Sequence, residues 1–291
     1  MTVSEDVKLA RDLIPNPSQA RVFDRIDDPY PIDLLDPETM EPGSILKVVA
    51  FNLHQGRKLL QILGALQNHP ELKGSHVAAL QEVDRFNDRT GGVDLSLLLS
   101  RETQMNGIYG VEFIELNRRR GSGGGDHGNQ TLTRLPILAS CIVPLSIAYD
   151  WSRSKTLPRL GRRMALITDL EVAGSRIRII NAHLEVQCFA RQRLEQLETI
   201  LEFEAGMSER CPAILLGDLN TFMFREPVRF RQLATRYDFV DALPRRPRGT
   251  WGQIFRLDWI LVRSLEIVSS GITRDVRGSD HKPIWATLKA P

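Results

Sequence analysis

Short apolar runs that stop at a polar residue recur along this chain, and they predict its elements. Residues 45–51 are a β-branched apolar run that ends at Asn52, and residues 77–81 are another that ends at Glu82; both patterns read as strands. Residues 58–68 place Leu59, Leu60, Ile62, Leu63 and Leu66 at helical spacing. Residues 95–105 predict a second helix and residues 108–116 a strand. Residues 130–135 and 136–143 are extended. Residues 163–170 and 176–182 form a hairpin around Gly174, with Asn181, Ala182 and His183 at its end. Helices follow over 190–204 and 230–237, and strands over 257–262 and 284–288. Residues 213–216 are four apolar residues between Pro212 and Gly217, the pattern of a short buried strand. Residues 118–129, with three arginines and five glycines, predict a mobile loop.

No repeat and no linker interrupts this pattern, so residues 45–291 read as one domain. Residues 1–44, with Pro15, Pro17, Pro29, Pro31, Pro37 and Pro42, read as an extension over it, with a short helix near residues 5–14. Many strands mixed with helices and hairpins give an α+β chain: two packed sheets with helices outside.

Composition narrows the class. With 291 residues, 42% hydrophobic and 25% charged, the chain is globular and can bury a sizeable core. A net charge of +2 is no footprint of a dedicated nucleic-acid binder. Cys141, Cys188 and Cys211 show neither metal-ligand spacing nor a disulfide framework, which suits a reducing compartment. The sequence has no apolar secretory core and no run of about 18 apolar residues, so it reads as cytoplasmic with no membrane span.

The chemistry gathers at strand ends. Asp218 and Asn220 are two apart after a buried strand, so they project together. Asn52, Glu82, His183, Asp280 and His281 hold similar places, and Asp258 interrupts an apolar strand, where a lone carboxylate is costly. The donors are mostly oxygens, suited to Mg²⁺ or Mn²⁺. Carboxylates and histidine around such a cation suit hydrolysis of phosphate esters.

Six segments carry a resemblance: Phe51-Asn52, Leu80-Gln81-Glu82, Asn181-Ala182-His183-Leu184, Gly217-Asp218-Leu219-Asn220, Leu257-Asp258-Trp259 and Ser279-Asp280-His281-Lys282-Pro283. In this order the set resembles the endonuclease/exonuclease/phosphatase superfamily, over roughly residues 45–289. Gly128 to Pro136, with Asn129, looks like its middle segment. The resemblance implies a four-layer α/β sandwich, two mixed β-sheets flanked by helices. It implies that Glu82 is the principal ligand of Mg²⁺ or Mn²⁺, with Asn52 and Asp280 in the metal region. Asp218 would orient or deprotonate the attacking water, and Asn220 would hold that water or a phosphate oxygen. His281 would contact the scissile phosphate with its tautomer fixed by Asp258, and His183 would bond a phosphoryl oxygen.

The expected function is therefore divalent-metal-dependent phosphoester hydrolysis, with phosphodiesterase or nuclease activity favoured and nucleic acid as a candidate partner. A phosphatase, a phospholipid- or inositol-phosphate-directed phosphodiesterase and a silent binding module of the same fold are the alternatives. Arg118 and Arg120, with Asn129, are expected on the substrate side, because a guanidinium fork meets phosphate oxygens in pairs. Oligomeric state is not legible.

Overall fold

The computed structural model describes residues 26–116, 124–222, 225–243 and 249–291. In chain order its elements are β1 (Tyr30–Ile32), β2 (Ile45–Asn52), α1 (Leu59–Asn68), β3 (Val77–Arg85), α2 (Leu95–Thr103), β4 (Asn106–Glu115) and β5 (Asp126–Thr133). Then come β6 (Ile137–Pro144), β7 (Arg159–Gly161), β8 (Met164–Val172), β9 (Ser175–His183) and α3 (Ala190–Ala205). The chain ends with β10 (Ala213–Asp218), α4 (Glu226–Arg236), β11 (Val240–Asp241), β12 (Asp258–Arg263), β13 (Ile267–Ile272) and β14 (Ile284–Lys289).

The strands make two mixed sheets. One runs β1-β4-β5-β3-β2-β14-β13, with β7 also on β4; the other runs β11-β12-β10-β9-β8-β6. Period-two alternation stacks them into four layers. On β10, Ile214 and Leu216 face the seam between the sheets, where they meet Val48 and Ala50 of β2 and Ala286 of β14. Ala213 and Leu215 face the other way, onto Leu197 and Leu201 of α3 and Phe230 of α4. Burial on both faces is why this strand reads as an unbroken apolar run. The first sheet likewise buries Val49 and Phe51 against Ile62 of α1 and Leu99 of α2.

Two parts of the chain differ from the sequence pattern. Residues 126–129 are not loop: they open β5, fully within the first sheet. Their polarity hid the strand, and the three polar side chains each reach a buried partner. Asp126 accepts from Nε and Nη2 of Arg85 at 2.9 and 2.8 Å, His127 Nδ1 lies 2.9 Å from Asp84, and Asn129 donates to Glu112 at 3.2 Å. Residues 30–32, inside the segment read as an extension, add β1 to the first sheet beside β4. The helix expected near residues 5–14, and Arg118 and Arg120, lie outside the described residues.

Candidate active site

Register on the second sheet aligns three site residues. Asp218, at the end of β10, pairs with His183 of parallel β9 on one side and with Asp258 of antiparallel β12 on the other. Laterally paired residues share a face, so these side chains are neighbours. Gly217 allows the close approach. Its φ is 138°, and a Cβ there would sit 2.1 Å from the carbonyl oxygen of Ala182.

The first sheet supplies the opposite wall. Asn52 ends β2 beside Gln81 of β3, and its amide donates across the seam to Asp218 Oδ2 at 2.9 Å. Glu82 follows, at a register shift between β3 and β5, with a φ of 56°. Asn220 also lies in the left-handed region, with a φ of 51°. Backbone strain of this kind is stored where surrounding contacts over-determine it, typically at functional sites. Asn220 donates its backbone N–H to Asp218 Oδ1 at 3.0 Å and its side-chain amide to the Leu184 carbonyl at 2.9 Å.

Two histidines face Asp218. Nε2 of His281 and Nε2 of His183 each lie 3.6 Å from Asp218 Oδ2. Behind His281, Nδ1 is 2.9 Å from Asp258 Oδ2. Burial disfavours charge on this ring, but the carboxylates of Asp258 and Asp218 outweigh it and raise the His281 pKa to about 10. His183 differs. Its Nδ1 is 2.9 Å from Nη1 of Arg163, which can only donate, so Nδ1 accepts and Nε2 carries the proton. Burial first, then the Arg163 charge, hold its pKa far below the ordinary value. The site thus pairs one cationic and one neutral imidazole. Burial raises the Asp218 pKa to about 6, partly offset by His281.

Asp280 borders this centre. It accepts from the Trp251 indole at 3.0 Å and lies 3.3 Å from His54 Nδ1. Burial works against its charge, but His281, the Trp251 bond and His54 lower its pKa overall. The adjacent Ser279 hydroxyl donates to the Asn52 carbonyl at 2.7 Å, which ties this loop to β2. Asn129 is fully buried, its Nδ2 on Glu112 and its Oδ1 without a partner.

The donor set fits a hard cation. Glu82 is half-buried and takes no hydrogen bond among the described residues. Asp218, Asp258 and His281 also place ligand atoms within 4.8 Å of one another, the one such trio among the described residues. That trio can take a cation only if His281 gives up the proton its two carboxylate neighbours stabilise.

Sequence reasoning missed Glu112, Arg163, Trp251 and His54. Glu112 and Arg163 lie inside strand patterns, and only the packed structure brings them to His183. His54, two residues after Asn52, was readable from proximity alone.

This fold and arrangement place the chain in a known class. Residues 49–281 match the model of the endonuclease/exonuclease/phosphatase family, and the chain belongs to that family. Its fold is similar to that of an endonuclease/exonuclease/phosphatase from Beutenbergia cavernae, at 18% identity and a TM-score of 0.65, covering 84% of this chain and 72% of that one. The human Nocturnin catalytic domain with bound sulfate is similar at 18% identity and a TM-score of 0.62, covering 91% and 97%. D. rerio TDP2 complexed with a single-strand DNA product is similar at 19% identity and a TM-score of 0.59, covering 84% and 99%. No curated protein shows a significant sequence match. No described helix is long and apolar enough to cross a membrane.

Proposed function

We propose that this chain is a divalent-metal-dependent phosphodiesterase, with nucleic acid as the favoured substrate class. The observation that carries the reading is Asp218: a buried carboxylate oriented by Asn52 and Asn220 and faced by two imidazoles of opposite character. Family membership supports phosphoester chemistry, and the single-strand DNA product on the similar TDP2 structure supports a nucleic-acid substrate.

Glu82, with Asn52 and Asp280, would hold Mg²⁺ or Mn²⁺, which supplies charge neutralisation at the phosphoryl oxygens. The chain's own residues do the rest. Asp218 accepts the proton of the attacking water. Asn220 keeps the carboxylate in place through its backbone N–H. The His281 imidazolium, held by Asp258, and the Nε2–H of His183 donate to oxygens that gain charge as the phosphorus is attacked. Three free cysteines, Cys141, Cys188 and Cys211, suit work in a reducing compartment such as the cytoplasm.

Asp218→Asn tests the reading. The change is nearly isosteric and removes the proton acceptor, so kcat on bis-p-nitrophenyl phosphate should fall ~10²–10⁴-fold with thermal stability retained. A loss under about tenfold would make Asp218 a supporting residue. No hydrolysis of any phosphoester by the native chain would favour a silent binding module.

A further inference from the structure

Seven arginines are buried among the described residues, and six of them, Arg85, Arg163, Arg178, Arg193, Arg256 and Arg263, bond a carboxylate. The seventh, Arg159, does not. It opens β7 opposite Glu115 of β4 and is 4% exposed. Its guanidinium carbon lies 3.8 Å from the centre of the Trp151 ring and 4.0 Å from that of Phe113. Wedged between two rings, the group makes no hydrogen bond or ion pair among the described residues, and its Nε is sealed and unpartnered. A buried cation without a counter-charge is strongly unfavourable.

The aromatic wedge compensates only part of that cost, since cation–π contacts contribute about 2 kcal/mol when desolvated. Two of the nearby carboxylates bond other donors, and Oε2 of Glu115 is buried without a hydrogen bond. Glu115 is bonded by Arg89 at 3.0 Å and Glu185 by the Trp151 indole at 2.8 Å. The third, Glu82, is the carboxylate assigned above to the metal. Burial, then the Arg163 charge, lowers the Arg159 pKa only to about 10, so the group stays cationic at neutral pH. The Phe113 ring it packs on is shared with Arg163, whose guanidinium carbon lies 5.1 Å from that ring and whose Nη1 is 2.9 Å from His183 Nδ1, which sets Arg159 on the His183 flank of the site.

We propose that Arg159, held in plane by Trp151 and Phe113, binds a second phosphate of the substrate, one that adjoins the scissile group. A guanidinium fork matches two phosphate oxygens. The substrate class then narrows to molecules with phosphates in series. Lone phosphoesters lack the second anion. This rests on the phosphoesterase reading above.

The test has a binding arm and a kinetic arm. In EDTA, inorganic pyrophosphate titrated into the native chain should perturb tryptophan fluorescence, and Trp151→Phe should abolish the signal. Arg159→Gln should weaken the binding about tenfold or more, and Arg159→Lys by less, because the charge stays and the fork goes. In the kinetic arm, kcat/KM is compared for a thymidine dinucleotide with and without a 5′-phosphate, and for inositol bisphosphate against monophosphate. The native chain should prefer the extra phosphate in one pair, which names its source, and Arg159→Gln should erase that preference. Should Arg159→Gln fail to fold, Arg159→Lys carries both arms and should still lose at least about threefold. Equal pyrophosphate affinity in the native chain and the folded variants overturns the proposal, as does a preference that survives the substitution. A native chain that hydrolyses neither pair defeats the phosphoesterase reading, and the pyrophosphate arm then decides Arg159 alone.

Discussion

Asp258 occupies the first position of a strand whose next four residues, Trp259 to Val262, are fully buried and apolar. A carboxylate there persists because His281 Nδ1 is 2.9 Å away. Replacing it with Asn keeps the shape and removes the charge that favours the imidazolium. Asp258→Asn should therefore lower kcat by about 10²-fold or more with little change in KM; steady-state kinetics on bis-p-nitrophenyl phosphate would show it. Equal kcat would reduce Asp258 to a strand residue with a local partner. Glu112 makes a pH prediction. Burial raises its pKa to about 7, more than the Arg163 bond lowers it. The folded chain then holds a proton between about 4.5 and 7 that the unfolded chain releases, so this residue's contribution to stability falls as pH rises through that window. Urea denaturation across pH 4.5–8 should show Glu112→Gln gaining on the native chain by a few kcal/mol. A pH-independent difference would contradict the raised pKa.

Among the elements, β10 sets the site because its register puts Asp218 between His183 and Asp258. Gly217→Ala would drive a methyl to 2.1 Å from the Ala182 carbonyl and add strain at a φ of 138°. The expected loss is about 3 kcal/mol or more in chemical denaturation, with activity lost as β10 shifts from β9. A loss under about 1 kcal/mol would mean the strands part without disturbing the fold. This strand was legible in sequence because both its faces are apolar. The first half of β5 was not, although residues 130–133 were read as extended: Asp126, His127 and Asn129 look like loop residues until Arg85, Asp84 and Glu112 are packed against them. β1, β7 and β11 span two or three residues each, held by a neighbour's backbone and not by any pattern of their own. The strand-end polar residues were legible because apolar runs stop abruptly at them. Glu112, Arg163 and Arg159 lacked that signal, as their roles exist only across strands.

At the scale of the whole molecule, the candidate site belongs to neither sheet. Asn52 and Glu82 come from the first, His183, Asp218 and Asp258 from the second, and the bond from Asn52 to Asp218 joins residues 166 apart in sequence. Stacking the sheets is what brings Asn52 against Asp218, with Glu82 one residue beyond Gln81, the partner of Asn52 on β3. The most direct test of the account is the metal dependence of phosphodiester hydrolysis in the native chain and in Glu82→Gln. Hydrolysis of bis-p-nitrophenyl phosphate should vanish in EDTA and return with Mg²⁺ or Mn²⁺, and Glu82→Gln should need about tenfold more metal or greater for half-maximal rate. Hydrolysis that persists in EDTA, or a Glu82→Gln activation curve that overlays the native one, would contradict it.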